Sequence, residues 1–297
     1  MSQSKELFSY NTLVHAIAGS VGSVVGMATF FPLDTVRSRL QLDEKRESKN
    51  TLAVMMELVQ EEGFSTLYRG IVPVLQSLCV SNFVYFYTFH GLKSINGEKS
   101  RSAGKDLILA SIAGIVNVLT TTPLWVANTR LKMSGLKSKS TSYNGILDGL
   151  IKISRSEGIG ALWNGTLPSL ILVINPALQM ATYEALKRRF KGVQLSALNY
   201  FVMAAISKAV ATVLTYPLQL IQTKLRHGHN YKQLHRDAGT LDLILYILRI
   251  YGPMGLYRGM EAKILQTVMT AALMFSAYEK ITGLVFKMLL NNTKIAH

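Results

Sequence analysis

The sequence predicts an all-α membrane protein in which six transmembrane helices form three similar repeats, with short amphipathic helices on the loop side. Two observations carry this prediction: six long apolar segments, and a set of landmarks that recurs three times at a nearly constant interval. Hydrophobic residues make up 49% of the 297 residues and charged residues only 16%, and the mean hydropathy is positive, which is unusual for a soluble domain of this length.

Each apolar segment, once extended by its flanking turns, is long enough to cross a bilayer core of about 30 Å. Only the fifth segment contains a charged residue, Lys208. Gly, Ser, Thr and Asn interrupt the segments, as in helices that pack closely or line a wet cavity. An even number of spans places both termini on one side of the membrane. The segments are residues 13–33, 71–89, 107–127, 166–183, 197–223 and 264–278.

Two independent landmarks indicate a threefold repeat. A proline lies near the end of each odd-numbered span, at intervals of 91 and 94 residues, and a basic residue follows seven positions later. The pairs are Pro32 with Arg39, Pro123 with Arg130, and Pro217 with Lys224. The stretches EGFSTLYRG, EGIGALWNG and YGPMGLYRG end at Gly70, Gly165 and Gly259. We therefore expect repeats over residues 1–100, 101–193 and 194–297.

Charge and motif content exclude several functions. The net charge is +15, but the basic residues lie at the ends of apolar segments and form no continuous patch, so nucleic acid is not an expected partner. No GxxxxGK[ST], HExxH or CxxC is present, so we expect neither an enzyme nor a bound cofactor or metal. Cys79 is the only cysteine and allows no intramolecular disulfide. The start, MSQSKELFSYNT, is typical of neither a signal nor a transit peptide, so we expect internal targeting.

Through these landmarks the chain resembles the mitochondrial carrier family over essentially its whole length. The family signature is P-x-[DE]-x-x-[KR]-x-[KR] followed, after a spacer, by [DE]-G-x-x-x-x-[YWF]-[KR]-G, three times over. The first repeat matches in full, through Pro32, Asp34, Arg37, Arg39, Glu62, Gly63, Tyr68, Arg69 and Gly70. The other repeats depart from it at Trp125, Asn128, Asn164, Gln219, Gln222 and Tyr251.

The resemblance implies a barrel of six helices with threefold pseudosymmetry, whose two mouths open alternately. Prolines bend the odd helices inward, so that motif side chains meet at one mouth and close it through ion pairs. The family's pairing scheme would set Asp34 against Asn128, Trp125 against Gln222, and Gln219 against Arg37. This scheme contains no complete ion pair, so we expect a weak gate there. The alternative is that these polar residues only cap helix ends at the membrane surface.

A second family pattern, [FY]-[DE]-x-x-[RK], marks the opposite mouth. This chain has FHGLK (89–93), YEALK (183–187) and YEKIT (278–282). Only Glu279 with Lys93 would form a complete ion pair, because His90 would face Lys187 and Glu184 would face Thr282. We therefore expect this gate to be weak as well.

Lys208 is a candidate substrate contact, because a charged side chain inside an apolar span is costly unless it serves a function. It lies eleven residues before Gln219, which at about 100° per residue returns it to within roughly 20° of the same helix face. We expect it to point into the cavity, where an ammonium group suits a phosphate. The alternative is that Lys208 extends to the membrane surface.

Polar residues on the even helices are the remaining candidates, since the resemblance implies that even helices carry substrate contacts. Their amides and hydroxyls suit hydrogen bonding to a base or an amide-bearing cofactor. The alternative for each of them is a helix–helix contact. The residues are Asn82, Asn175, Gln179, Gln266 and Thr267.

Subgroup features refine the resemblance. The tryptophan of PLWVANTR is similar to that of carriers for folate or flavin, pyrimidine nucleotides and NAD, and of peroxisomal adenine-nucleotide and coenzyme carriers. FFPLDTVRSRLQLDEK and LYRGMEAKILQTVMTAALMF look closest to the peroxisomal group. The resemblance implies a monomer in membrane lipid that exchanges CoA, FAD, NAD or adenine nucleotides such as AMP and ATP across the peroxisomal membrane. The alternatives are a mitochondrial inner-membrane flavin, folate, NAD or pyrimidine-nucleotide carrier, and a membrane scaffold that transports nothing.

Overall fold

A computed structural model describes residues 26–43, 50–95, 103–133, 143–190, 196–228 and 238–273. Within these ranges all regular structure is helical, and no strand occurs. The α-helices are α1 (Phe31–Leu42), α2 (Thr51–Glu62), α3 (Ile71–Ile95), α4 (Ala103–Met133), α5 (Ile146–Glu157), α6 (Thr166–Ile171), α7 (Asn175–Arg189), α8 (Ala197–His227), α9 (Thr240–Tyr251) and α10 (residues 260–273). The prediction of an all-α protein is confirmed.

Four helical stretches of the described residues are long and apolar enough to cross a membrane. They are Phe64–Lys93, Gly104–Met133, Ile159–Arg189 and Leu198–His227. They coincide with the second to fifth predicted spans. Most of the first span, 13–33, lies outside the described residues, as do residues 274–278 of the sixth. Helix α1 continues the first span, and α10 contains residues 264–273 of the sixth.

The outer faces of α4 and α8 carry stripes of exposed apolar side chains. On α4 the stripe is Ile108, Ile112, Ile115 and Leu119, and on α8 it is Val202, Ile206, Val210 and Leu214. These side chains are 38 to 62% exposed and recur every three or four residues, so each set lies along one side of its helix. This is the surface expected where a membrane helix meets lipid chains.

The repeat prolines lie inside or at the start of helices that continue past them. Pro32 is in the first turn of α1, whereas Pro123 and Pro217 are inside α4 and α8. Proline has no N–H, so the carbonyl four residues earlier loses its helical partner. For Pro123 that carbonyl belongs to Leu119, and the indole Nε1–H of Trp163 donates to it at 2.9 Å. The aromatic residue of the second landmark thus satisfies a backbone group that the first landmark leaves unpaired.

Helices α2, α5 and α9 are the predicted amphipathic helices, and each packs beside the proline-containing helix of its own repeat. Each places a pair of residues four apart on its buried side: Val54 and Leu58, Gly149 and Ile153, or Leu243 and Ile247. These pairs meet apolar residues that follow the proline, such as Val36 and Leu40 in the first repeat or Leu220 and Ile221 in the third. Three equivalent small cores result, one for each repeat.

Contacts between repeats depend on the glycines that close the second landmark. Gly70, Gly165 and Gly259 have φ of 83°, 80° and 80°, in the left-handed region that favours glycine. A Cβ on each would come within 2.9 to 3.3 Å of the following repeat's proline-containing helix, at Lys132, at Gln222 and Arg226, or at Arg37 and Leu40. The third contact joins repeat three to repeat one and completes the ring of interfaces.

Gly165→Ala should destabilise the protein, because alanine at φ 80° is strained and its Cβ would lie 3.1 Å from the Gln222 carbonyl oxygen. We expect the free energy of unfolding to fall by about 1–3 kcal/mol and the melting temperature in detergent to fall by several degrees. Gly160→Ala is the matched control, since that Cβ meets no atom within 4 Å. Equal melting temperatures for the two variants would contradict the close approach.

Candidate gate and substrate site

Buried polar side chains collect at the end of the helices where the prolines lie. Two intra-repeat ion pairs anchor this region. Arg39, which is 1% exposed, donates to Glu62 at 3.0 Å. Arg130 forms a bidentate ion pair with Glu157, in which Nη2 donates to Oε2 at 2.8 Å. These are the basic residues seven positions after a proline and the acidic residues of the second landmark. Each pair therefore ties the transmembrane helix to the loop-side helix of the same repeat.

Asp34 forms the ion pair that joins repeats one and two. Its carboxylate accepts from Arg37 at 3.4 Å and pairs with the ammonium group of Lys132, which also lies 4.7 Å from the centre of the Phe31 ring. Asn128, the partner expected from the family scheme, instead donates from its amide to Ser77 Oγ at 2.7 Å.

The expected contact between Asp34 and Asn128 is therefore not formed in this structure, and Asp34 pairs instead with Lys132, a residue outside the family scheme. The physical reason is the direction of helical side chains. They lean toward the helix N-terminus, so Lys132, one turn beyond Asn128, reaches back to the level of Asp34. The sequence pattern considered only the position five residues after the proline and did not include the position nine residues after it.

Repeats two and three meet through a different chemistry. The guanidinium of Arg226 lies 5.8 Å from the centre of the Trp125 ring, within the range of a cation–π contact. Arg226 also donates to Ser169 Oγ at 3.2 Å, and its carbonyl oxygen accepts from Arg130. Gln222, the expected partner of Trp125, donates to Ser169 Oγ at 2.7 Å.

Repeats three and one are joined by hydrogen bonds without an ion pair between described residues. The buried Gln41 donates to the Tyr216 hydroxyl at 2.9 Å, and this hydroxyl donates to the Arg258 carbonyl oxygen at 2.9 Å. Arg258 in turn donates to the Asp43 carbonyl oxygen. Gln219 donates to Thr215 Oγ1 within its own helix, so the expected contact with Arg37 is not formed.

The opposite mouth is described only in part. Lys93 forms an ion pair with Asp106 at 3.5 Å, and both side chains are about half exposed. Glu279 and Thr282 lie outside the described residues, and the side chain of His90 is not described. Lys187 is exposed, Glu184 is half-buried, and neither forms an ion pair with another described residue.

Basic side chains surround Asp34 on several helices. Lys263, in the first turn of α10, lies within electrostatic range of Asp34 and of three other cations. We call this group the basic cluster: Arg37, Lys132, Lys208 and Lys263. Lys208 is itself exposed on α8. One carboxylate among four cations leaves the cluster with an excess of positive charge.

Sequence reasoning missed Lys132, Arg226 and Lys263. Lys263 follows the Gly259 landmark by four residues, but it lies one residue before the charge-free window 264–278 that defined the sixth span. Lys132 and Arg226 were missed for a common reason, since both lie nine residues after a repeat proline. A comparison of the three repeats at that position would have found Gln41, Lys132 and Arg226 together.

The polar residues of the even helices have different surroundings. Asn175 donates to Thr215 Oγ1 at 3.1 Å, which is a helix–helix contact. Gln266 and Thr267 are buried, and the Oε1 of Gln266 has no hydrogen-bond partner among the described residues. Gln179 is half-buried and Asn82 is exposed. The structure thus buries Gln266 and Thr267, leaves Asn175 and Gln179 half-buried, and shows no hydrogen bond that joins these five residues to one another.

The sequence profile of the mitochondrial carrier protein family matches the chain three times, over residues 8–100, 99–194 and 193–289. The chain belongs to the mitochondrial carrier family. Members of this family are multi-pass membrane transporters, so this carrier is a transporter and not an enzyme, and its six-span fold with three repeats is that of the family.

Several relatives align with the carrier over nearly its full length. Peroxisomal membrane protein PMP34 of Mus musculus is 54% identical, covering 94% of the carrier and 95% of the relative. The peroxisomal nicotinamide adenine dinucleotide carrier of Arabidopsis thaliana is 32% identical, with coverage of 95% and 98%. Peroxisomal adenine nucleotide carrier 1 of Glycine max is 30% identical, with coverage of 94% and 93%.

Tyr216→Phe should destabilise the interface between repeats three and one. The change keeps the ring but removes the hydroxyl that Gln41 and the Arg258 carbonyl contact, and a buried group left unpaired costs about 1–3 kcal/mol. We expect a fall of several degrees in the melting temperature in detergent. Tyr200→Phe, which removes a hydroxyl from a well-exposed residue, is the matched control. A Tyr216→Phe variant as stable as this control would show that the hydroxyl contributes nothing.

Proposed function

We propose that the carrier exchanges nucleotide-type anionic cofactors, namely CoA, FAD, NAD or adenine nucleotides such as AMP and ATP, across the peroxisomal membrane by alternating access. The observation that carries this proposal is the basic cluster, in which Arg37, Lys132 and Lys208 all lie within electrostatic range of Lys263. Cations inside a membrane protein are costly unless paired, and the cluster has only one described carboxylate within range. A phosphate supplies the missing negative charge and accepts charge-assisted hydrogen bonds from lysine.

Lys208 and Lys263 are the proposed phosphate contacts. Lys208 is exposed and Lys263 lies within electrostatic range of it, so one anion between α8 and α10 would be attracted by both. This arrangement supports an inward orientation of Lys208 over an extension to the membrane surface, because Lys263 also lies near the gate residues Asp34 and Arg37.

Amide and hydroxyl groups of the even helices would contact the remainder of the cofactor. Gln266 is the best supported of these, because its buried Oε1 has an open acceptor position among the described residues and a base or amide N–H would fill it. Thr267, Gln179 and Asn82 remain proposals of the same kind. Asn175 is the least favoured, since its side-chain nitrogen already donates to Thr215.

Relatives support the peroxisomal assignment over the mitochondrial one. The three relatives described above all carry peroxisomal names, and two are named as carriers of NAD or adenine nucleotides. We also propose that the carrier acts as a monomer with repeats at residues 1–100, 101–193 and 194–297. A scaffold without transport activity would give no reason for Lys208 and Lys263, on two different helices, to lie within electrostatic range of one another.

Uptake into liposomes tests the substrate class. The purified carrier would be reconstituted with internal CoA, FAD, NAD, ATP or AMP, and uptake of the same labelled compound would be measured, with adenosine and riboflavin as phosphate-free controls. We expect uptake of one or more nucleotides and none of the controls. Lys208→Ala and Lys263→Ala should each reduce uptake by about tenfold or more, the effect of losing about 1.4 kcal/mol.

Lys105→Ala is the matched control, because Lys105 is exposed in the first turn of α4 and belongs to neither gate nor cluster. Nucleotide uptake that survives both cluster substitutions would place the phosphate site elsewhere. Uptake of no compound by the unaltered carrier would support the scaffold.

Localisation of the full chain in cells separates the two organelles. A fluorescent fusion should overlap a peroxisomal membrane marker and exclude a mitochondrial inner-membrane marker. Overlap with the mitochondrial marker would favour the flavin, folate, NAD or pyrimidine-nucleotide alternative.

A further inference from the structure

Two of the three repeat interfaces use the same pair of positions. Asp34 lies two residues after its proline and contacts Lys132, nine residues after the next proline. Trp125 lies two residues after Pro123 and contacts Arg226, nine residues after Pro217. Both contacts join a side chain of one repeat to a cation of the following repeat, and both have the same spacing. Such agreement between two independent interfaces is not expected of incidental contacts.

The positions five residues after the prolines are engaged elsewhere. Asn128 donates to Ser77 and Gln222 donates to Ser169, each at 2.7 Å, so neither amide faces the residue that the family scheme assigns to it. Both are neutral and short, whereas Lys132 and Arg226 are charged and long. The residue two positions after one proline is therefore contacted by the residue nine positions after the next proline, and not by the residue five positions after it. These two partner positions are about one helical turn apart, and the longer side chains of Lys132 and Arg226 span the added distance.

We propose that Lys132 and Arg226 are the gate cations of this carrier, which closes its proline-side mouth by an ion pair to Asp34 and a cation–π contact to Trp125. This inference rests on the proposed function only for the identity of the solute that the gate retains. The two contacts exist whether or not that solute is a nucleotide. Lys132 and Arg226 are positioning residues, since they act by holding helices together.

Burial makes both contacts effective. The side chains of Asp34 and Lys132 are 16% and 11% exposed, so their attraction is little screened by water. The Arg226 guanidinium also donates to Ser169 Oγ, and this hydrogen bond holds it beside the Trp125 ring. At the third interface the equivalent residue is the neutral Gln41, whose contact with Tyr216 has a different geometry. The gate is therefore asymmetric, with two cationic contacts and one neutral contact.

A charge exchange tests the first contact. Lys132→Asp and Asp34→Lys should each lower the melting temperature of the detergent-purified carrier by several degrees, because like charges then face each other. The double variant, Asp34→Lys with Lys132→Asp, should recover at least half of the loss. Arg188→Asp, a charge reversal at an exposed residue near the end of α7, should shift the melting temperature by less than either single variant. Purely additive effects in the double variant would overturn the ion pair.

A second pair of variants tests the position itself. Lys132→Gln removes the gate cation, and adding Asn128→Lys to it places a lysine where the family scheme has one. We expect no recovery of the melting temperature in this double variant. Recovery to the value of the unaltered carrier would show that a cation five residues after the proline forms the gate contact equally well.

Aromatic substitutions test the second contact. Trp125→Leu and Arg226→Gln should each lower the melting temperature, and combining them should cost less than the sum, because both remove one shared contact. Trp125→Phe keeps an aromatic face and should be less destabilised than Trp125→Leu. Equal effects of Phe and Leu would overturn the cation–π contact.

Transport measurements separate a gate from a merely structural contact. Liposomes loaded with the substrate that the unaltered carrier accepts would be diluted into substrate-free buffer, and efflux would be divided by the exchange rate. A weakened gate should raise this ratio, by about threefold or more for Lys132→Gln, and the charge exchange should restore it. An unchanged ratio with a lowered melting temperature would make Lys132 structural only. Melting temperatures need no substrate, so they test the contacts even if the proposed substrates fail.

Discussion

The structure depends on the close approach of the three repeats at their proline ends. Gly70, Gly165 and Gly259 hold left-handed backbone conformations and place their chain against the next proline-containing helix, where an added Cβ would lie 2.9 to 3.3 Å from that helix. Because the helices touch here, polar side chains that would otherwise meet water or lipid are buried against one another and must find partners. The gate is the consequence of this packing.

The partners that these side chains find are unequal in charge. Glu62 and Glu157 neutralise Arg39 and Arg130 within their own repeats, and Asp34 is the one described carboxylate within electrostatic range of Lys263 in the basic cluster. A single carboxylate does not balance Arg37, Lys132, Lys208 and Lys263. The second and third repeats have Trp125 and Gln219 at the position of Asp34, so they add no carboxylate, and the region beside the gate stays electropositive and suited to an anionic solute.

Sequence patterns predicted the fold better than they predicted the contacts between side chains. Hydropathy and the threefold landmarks located the second to fifth spans and the amphipathic helices, because these follow from helix length and from glycine and proline chemistry. The gate pairing failed at Asp34, since the length and lean of Lys132 decide which turn of the neighbouring helix is reached. Lys263 was missed because the charge-free window that defined the sixth span begins one residue after it. Which atoms meet across an interface depends on helix packing, and a pattern within one repeat contains no information about it.

Phosphate-dependent stabilisation is the most direct test of the central claim that the basic cluster binds an anionic cofactor. The melting temperature of the purified carrier would be measured with increasing CoA, FAD, NAD or ADP, and with adenosine or riboflavin at the same concentrations. A ligand that binds only the folded state raises the melting temperature as its concentration exceeds its Kd. We predict stabilisation by at least one phosphate-bearing compound, none by its phosphate-free counterpart, and loss of the effect in Lys263→Ala. Equal stabilisation by both kinds of compound, or by neither, would contradict it.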